Sequence, residues 1–137
     1  VHDLTHAEIQ IFDALYAQEI DFHEPFYVIG TLEKDKAAIK HEIAHALYYT
    51  DLDYECEMNE SLLQLKIHQL KMYEKMKKSL LKMGYNDSVI DDEVQAYLSS
   101  ETPKYIKEEF GIDIKNVPEI KQMRKVLSKY NTFILNA

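Results

Sequence analysis

Residues 35–50 read D-K-A-A-I-K-H-E-I-A-H-A-L-Y-Y-T, and the reading of the whole chain turns on them. The stretch has no Gly or Pro and is rich in Ala, Ile, Leu, Lys and Glu, the composition of a helix. Inside it, His41-Glu42-Ile43-Ala44-His45 spells H-E-x-x-H. Residues four apart stack on one face of a helix, so both imidazoles can reach a single metal ion. Glu42 would then stand beside the ion, where it can take a proton from a bound water.

The pattern specifies only three residues. With 6 His in the chain, a chance match somewhere is expected roughly one time in forty. The surroundings therefore matter. Projected at about 100° per residue with His41 at zero, His45 falls at about 40° and Ala38 at about 60°. Ile39, Ile43 and Leu47 fall between about 160° and about 240°. The projection predicts an apolar stripe for the core and an opposite face holding both histidines among small residues, with room for an ion. The alternative is two surface histidines on an ordinary amphipathic helix.

Catalytic zinc sites usually take three protein ligands. A metzincin continuation needs Gly three residues after the second His and a ligand six after it. Here Tyr48 and Asp51 occupy those positions, so there is no signal for a sharp turn and Asp51 would point away. A deformylase-type ligand would be an upstream cysteine, and the only cysteine, Cys56, lies downstream. It reads as a structural or exposed thiol.

A later carboxylate remains. Residues 87–100, D-S-V-I-D-D-E-V-Q-A-Y-L-S-S, form a helical pattern opened by capping residues. With Ile90 at zero, Val94 lies at about 40°, Leu98 at about 80° and Tyr97 at about 340° on the same projection. Glu93 lies at about 300°, at the edge of this apolar face, whereas Asp92 falls at about 200° on the solvent side. An inward carboxylate costs several kcal/mol unless it is paired or bound to a metal. Glu93 is thus the best third ligand, the alternative being a half-exposed carboxylate paired with lysine. Tyr97 shares its face and can hydrogen-bond the oxyanion of a tetrahedral intermediate, or else is a core tyrosine.

With H-E-I-A-H on one helix and E-V-Q-A-Y on a later one, the chain resembles the gluzincin group of zinc metallopeptidases. The longer stretches H-E-I-A-H-A-L-Y-Y and D-D-E-V-Q-A-Y-L look like small uncharacterised bacterial zincin-like proteins. The resemblance covers about residues 26–100. It implies Zn2+ held by His41, His45 and Glu93, with Glu42 as general base and Tyr97 as transition-state stabiliser. The N-E-x-x-S-D form of the thermolysin-type glutamate helix is absent, so the substrate rules of that branch do not carry over.

Elsewhere, 3 Gly and 3 Pro in 137 residues predict a mainly α fold, α+β at most, in a single domain over 1–137. Thr5-His6-Ala7-Glu8 resembles a capping box opening a helix to about Glu19. Phe26-Tyr27-Val28-Ile29-Gly30 reads as a short β element before the motif helix. In zincins such a strand often rims the cleft, where a peptide substrate adds as another strand, the alternative being an ordinary buried strand. A long helix is expected over Tyr54–Met83, with Leu63, Ile67, Leu70, Tyr73, Met76 and Leu80 at helical spacing and Gly84 as its C-cap. Thr102-Pro103 should open a short helix ending near Gly111, and Pro118 one ending near Tyr130. Residues 132–135 could form a strand pairing with 26–30.

The formal charge of −8 makes the lysine-rich end of the long helix a solvated face, so no nucleic acid partner is expected. No run of 18 apolar residues is present, so no membrane span is expected. No secretory leader is visible and the single cysteine suits a reducing compartment, so the expected location is cytoplasmic. The expected activity is zinc-dependent hydrolysis of a peptide or protein substrate. The competing expectation is a catalytically silent zincin-like domain that binds metal or a partner. A third is a helical interaction protein whose H-E-x-x-H is accidental.

Overall fold

Helix Ile90–Ser100 is the element around which the others are arranged in the computed structural model, which describes residues 10, 17, 23–29 and 36–132. In chain order the helices are α1 (Lys36–Thr50), α2 (Leu52–His68), α3 (Leu70–Lys82), a 3-10 turn at Asp87–Val89, α4 (Ile90–Ser100), α5 (Pro103–Phe110) and α6 (Pro118–Tyr130). The fold is mainly α. Helix α4 packs against α1, α2, α3 and α6, while α6 also lies along α2. One apolar core results, drawing Ile43 from α1, Leu65 from α2, Met76 from α3, Val94 and Leu98 from α4 and Met123 from α6. Its C-terminal wall comes from the segment that carries no part of the motif.

Local chemistry sets most of the boundaries. The Asp51 carboxylate accepts a bond from the Tyr54 N–H at 3.1 Å, so the residue excluded above as a metal ligand is the N-cap of α2. Thr102 does the same for α5, with Pro103 in the first turn. Gly111, at φ 67°, takes the left-handed conformation that closes α5. After α3, Gly84 at φ 103° turns the chain so that the Tyr85 N–H bonds Leu80 O at 3.2 Å.

The long helix expected over Tyr54–Met83 is two helices. Gln69 breaks it at φ −132° and ψ 47°, with no Gly or Pro to announce the break. Its N–H still bonds Leu65 O, and Tyr73 N–H bonds its carbonyl, so few backbone bonds are lost. The break lets the halves follow different partners: α2 runs along α6 and α1, α3 along α4 and α5. The buried stripe differs accordingly. Tyr73, Met76 and Leu80 are buried as expected, but Leu63, Ile67 and Leu70 are exposed. Tyr54, Met58, Leu62 and Leu65 occupy the core instead. Both sets have helical spacing, and only the neighbouring helices decide between them.

Over its described residues, 26–29, the β element expected at 26–30 is not a strand: residues 25–29 have no strand pairing, and the described residues contain no strand at all. A strand needs a partner to take its backbone bonds, and helices cannot supply one. Ile29 packs on the core, while Phe26, Tyr27 and Val28 are exposed. The partner expected at 132–135 lies, apart from Thr132, outside the described residues, as does the helix expected over Thr5–Glu19 apart from Gln10 and Ala17. Cys56 is an exposed free thiol. No described helix is long and apolar enough to cross a membrane.

The phase of α2 is testable. Leu65→Ala should cost about 2–5 kcal/mol of unfolding free energy in urea titrations. Leu63→Ala, two positions earlier but exposed, should cost no more than about 0.5 kcal/mol. Equal losses would contradict the packing.

Candidate metal centre

His41 and His45 project from α1 toward α4, which returns Glu93 to them. The sequence projection gave α1 an apolar back and an open histidine face. The structure instead encloses the histidine face: Ala44 is fully buried and His45 nearly so. The small side chain of Ala44 lets a neighbouring helix approach this turn closely.

The three groups converge. His45 Nε2 lies 3.1 Å from His41 Nε2, and Glu93 Oε2 lies 3.4 Å from His45 Nε2 and 3.8 Å from His41 Nε2. A four-coordinate ion with tetrahedral bonds of about 2.1 Å holds its ligand atoms roughly 3.4 Å apart. The observed separations bracket that value. Glu93 Oε2 is also a buried acceptor without a hydrogen-bond partner, an arrangement that is costly without a cation. His41, His45 and Glu93 thus form a group that can hold a metal ion.

The far side of each imidazole is also engaged. His45 Nδ1 lies 2.8 Å from Asp92 Oδ1 and donates to it. His41 Nδ1 is 3.4 Å from Ser100 Oγ, whose hydroxyl donates to Ala96 O at 2.5 Å and so keeps a lone pair for the imidazole N–H. His45 Nδ1 therefore carries a proton, and both Nε2 atoms are directed at the point Glu93 shares. Such outer partners fix ring orientation and raise ligand basicity.

The electrostatics agree. Burial alone would lower the His45 pKa, but the Asp92 and Glu93 carboxylates outweigh it and lift the value to about 10. Burial would raise Glu93, yet the attraction of His41 and His45 holds it at about 2. Both shifts reflect the attraction between the His45 imidazolium and the Asp92 and Glu93 carboxylates.

The two remaining predicted residues flank the cluster. A cleft of about 240 Å³ is bordered by His41, Glu42, Tyr85, Tyr97 and Tyr105. The Tyr97 ring packs edge-on against the His41 imidazole, with centroids 4.5 Å apart, and also against Tyr105 and Phe110. Tyr97 is therefore both a packing residue and part of the cleft wall. Burial, then the Tyr85 hydroxyl, push its pKa up, so it stays protonated at neutral pH. Tyr27, exposed in the irregular segment before α1, has its pKa raised by partial desolvation of its hydroxyl and then by Glu42, Asp92 and Glu93. A larger groove of about 510 Å³, lined by Glu57, Gln64, His68 and Pro118 among others, shares no residue with this centre.

Asp92 and Ser100 were missed by the sequence reading. Projection placed Asp92 on the solvent side because it measured each position against one apolar stripe. Helix α4 has partners on several sides, so a residue off its main stripe still meets α1. No protein-family profile, curated protein or solved structure matches the chain.

Asp92→Asn should weaken binding of a divalent metal, read with zinc or cobalt against a competing chelator, by about 10–100-fold. Unchanged affinity would mean that Asp92 does not orient His45.

Proposed function

We propose that this protein is a zinc-dependent hydrolase of peptide bonds, working as the gluzincin-type peptidases it resembles do. The observation that carries this reading is the convergence of His41 Nε2, His45 Nε2 and the buried, unpartnered Glu93 Oε2 beside an open cleft. Two imidazoles and a carboxylate form the donor set of catalytic zinc sites that keep a fourth position for water. Zinc bound there supplies a Lewis acid and lowers the pKa of a water to about 7.

The chain's own groups do the rest. Glu42 follows His41 directly and stands on the cleft wall, so its carboxylate can take a proton from the attacking water. The same carboxylate then carries the proton to the leaving amine. Tyr97, protonated and on the same wall, can donate a hydrogen bond to the oxygen that gains charge as the carbonyl is attacked. Asp92 and Ser100 contact the outer Nδ1 atoms, so that both Nε2 atoms face Glu93. The substrate is a peptide or a protein segment that reaches the cleft in an exposed conformation.

Glu42→Gln separates this reading from its alternatives. The variant should keep one zinc per chain and lose about 10²–10⁴-fold of the hydrolysis rate against a mixed peptide library. Undiminished hydrolysis would sink the mechanism. A zinc-loaded parent that cleaves nothing in the library would favour a silent metal- or partner-binding domain, and substoichiometric zinc an accidental motif.

A further inference from the structure

Gln95 has no solvent exposure, on the side of α4 that meets α1. An amide in such a place destabilises the fold unless its hydrogen-bonding groups are used. Here they are. Its Nε2 donates to Ala44 O at 3.1 Å and to Asp92 Oδ1 at 3.0 Å. Its Oε1 accepts from the hydroxyl of Tyr54, itself fully buried, at 2.7 Å. The reverse amide orientation would set an oxygen against two acceptors, so only this one satisfies the site.

These bonds have a direction that ends at His45. An ionised carboxylate only accepts, and Asp92 Oδ1 is approached by both Gln95 Nε2 and His45 Nδ1. The imidazole must therefore present a proton on Nδ1, which leaves Nε2 for Glu93 and His41. Gln95 also holds the backbone carbonyl of Ala44, the residue before His45. One side chain thus grips both the turn that carries the imidazole and the carboxylate that orients it. Tyr54 connects this grip to α2, a helix that contributes no ligand.

We propose that Gln95, braced by Tyr54, is the positioning residue of the metal centre: it aims His45 through Asp92 and sets how α1 and α4 present their ligands to one another. This rests on the metal-site reading above and adds to it two residues that touch neither metal nor substrate.

The test uses the full chain with Gln95→Leu and Tyr54→Phe, and Leu65→Ala as a packing control. Zinc affinity is measured against a competing chelator, and ligand geometry by the visible spectrum of the cobalt-loaded protein. Exchange of the His45 Nδ1 proton is followed by NMR without metal. Gln95→Leu should weaken zinc binding by about 10–100-fold and alter the cobalt spectrum. It should also speed exchange of the Nδ1 proton. Tyr54→Phe should act in the same direction by about threefold to tenfold. Leu65→Ala should lower thermal stability while leaving all three site readouts near wild type.

Site readouts in Gln95→Leu and Tyr54→Phe that match the packing control, with only stability reduced, would overturn the proposal. If Gln95→Leu does not fold, Tyr54→Phe, which removes one hydroxyl, decides by the same readouts. Failure of the wild-type chain to bind zinc would count against the metal site. The exchange rate of the metal-free His45 proton would then still judge Gln95, accelerated exchange in the variants supporting it and unchanged exchange overturning it.

Discussion

The buried Oε2 of Glu93, facing two imidazoles across the junction of α1 and α4, is the constraint on which the candidate site depends. A carboxylate oxygen removed from water loses several kcal/mol of solvation unless positive charge replaces it. Glu93 Oε2 lies 3.4 and 3.8 Å from the two imidazole Nε2 atoms, separations at which the three atoms can share a cation. The packing of α1 against α4 brings Glu93 and both histidines to these distances. It also explains why their outer nitrogens face Asp92 and Ser100 rather than apolar side chains.

Apolar residues of similar size would pack this junction at no electrostatic cost, and replacing buried ionic groups by such residues often leaves a protein equally or more stable. The polar arrangement here is nearly complete, since Gln95, Asp92, Ser100 and Tyr54 each engage a named partner. Glu93 Oε2 is the exception at the centre. The unsatisfied oxygen thus lies at the point where three atoms that could hold a metal ion meet. The apolar core formed with α2, α3 and α6 holds this junction in place.

The helix-dominated class, the boundaries of α5 and α6 and the grouping of His41, His45 and Glu93 were legible in the residues. The class, the boundaries and the histidine pair follow from short-range rules: few Gly and Pro, proline in a first turn, glycine after a last one, and the i, i+4 spacing of imidazoles; Glu93 was singled out as a carboxylate at the edge of an apolar helix face. The break at Gln69 was not legible, because no residue type there forbids a helix. The buried face of α2 was ambiguous, because Leu63-Ile67-Leu70 and Met58-Leu62-Leu65 have the same helical spacing. The aromatic and β-branched run at 26–29 resembled a strand, but a strand exists only where another backbone takes its hydrogen bonds.

Asp92 and Gln95 mark the limit most clearly. By helical projection Asp92 belonged to the solvent, and Gln95 was an unremarked polar residue between Val94 and Ala96. Both became part of the site because α4 is surrounded by helices. By itself the sequence determined which side chains can share one face of one helix, since that geometry repeats about every 3.6 residues. Only the tertiary structure decided which faces meet, because apposition depends on the packing of elements far apart in the chain. That apposition places Asp92 against His45 and leaves one buried oxygen of Glu93 at the point where two imidazoles converge.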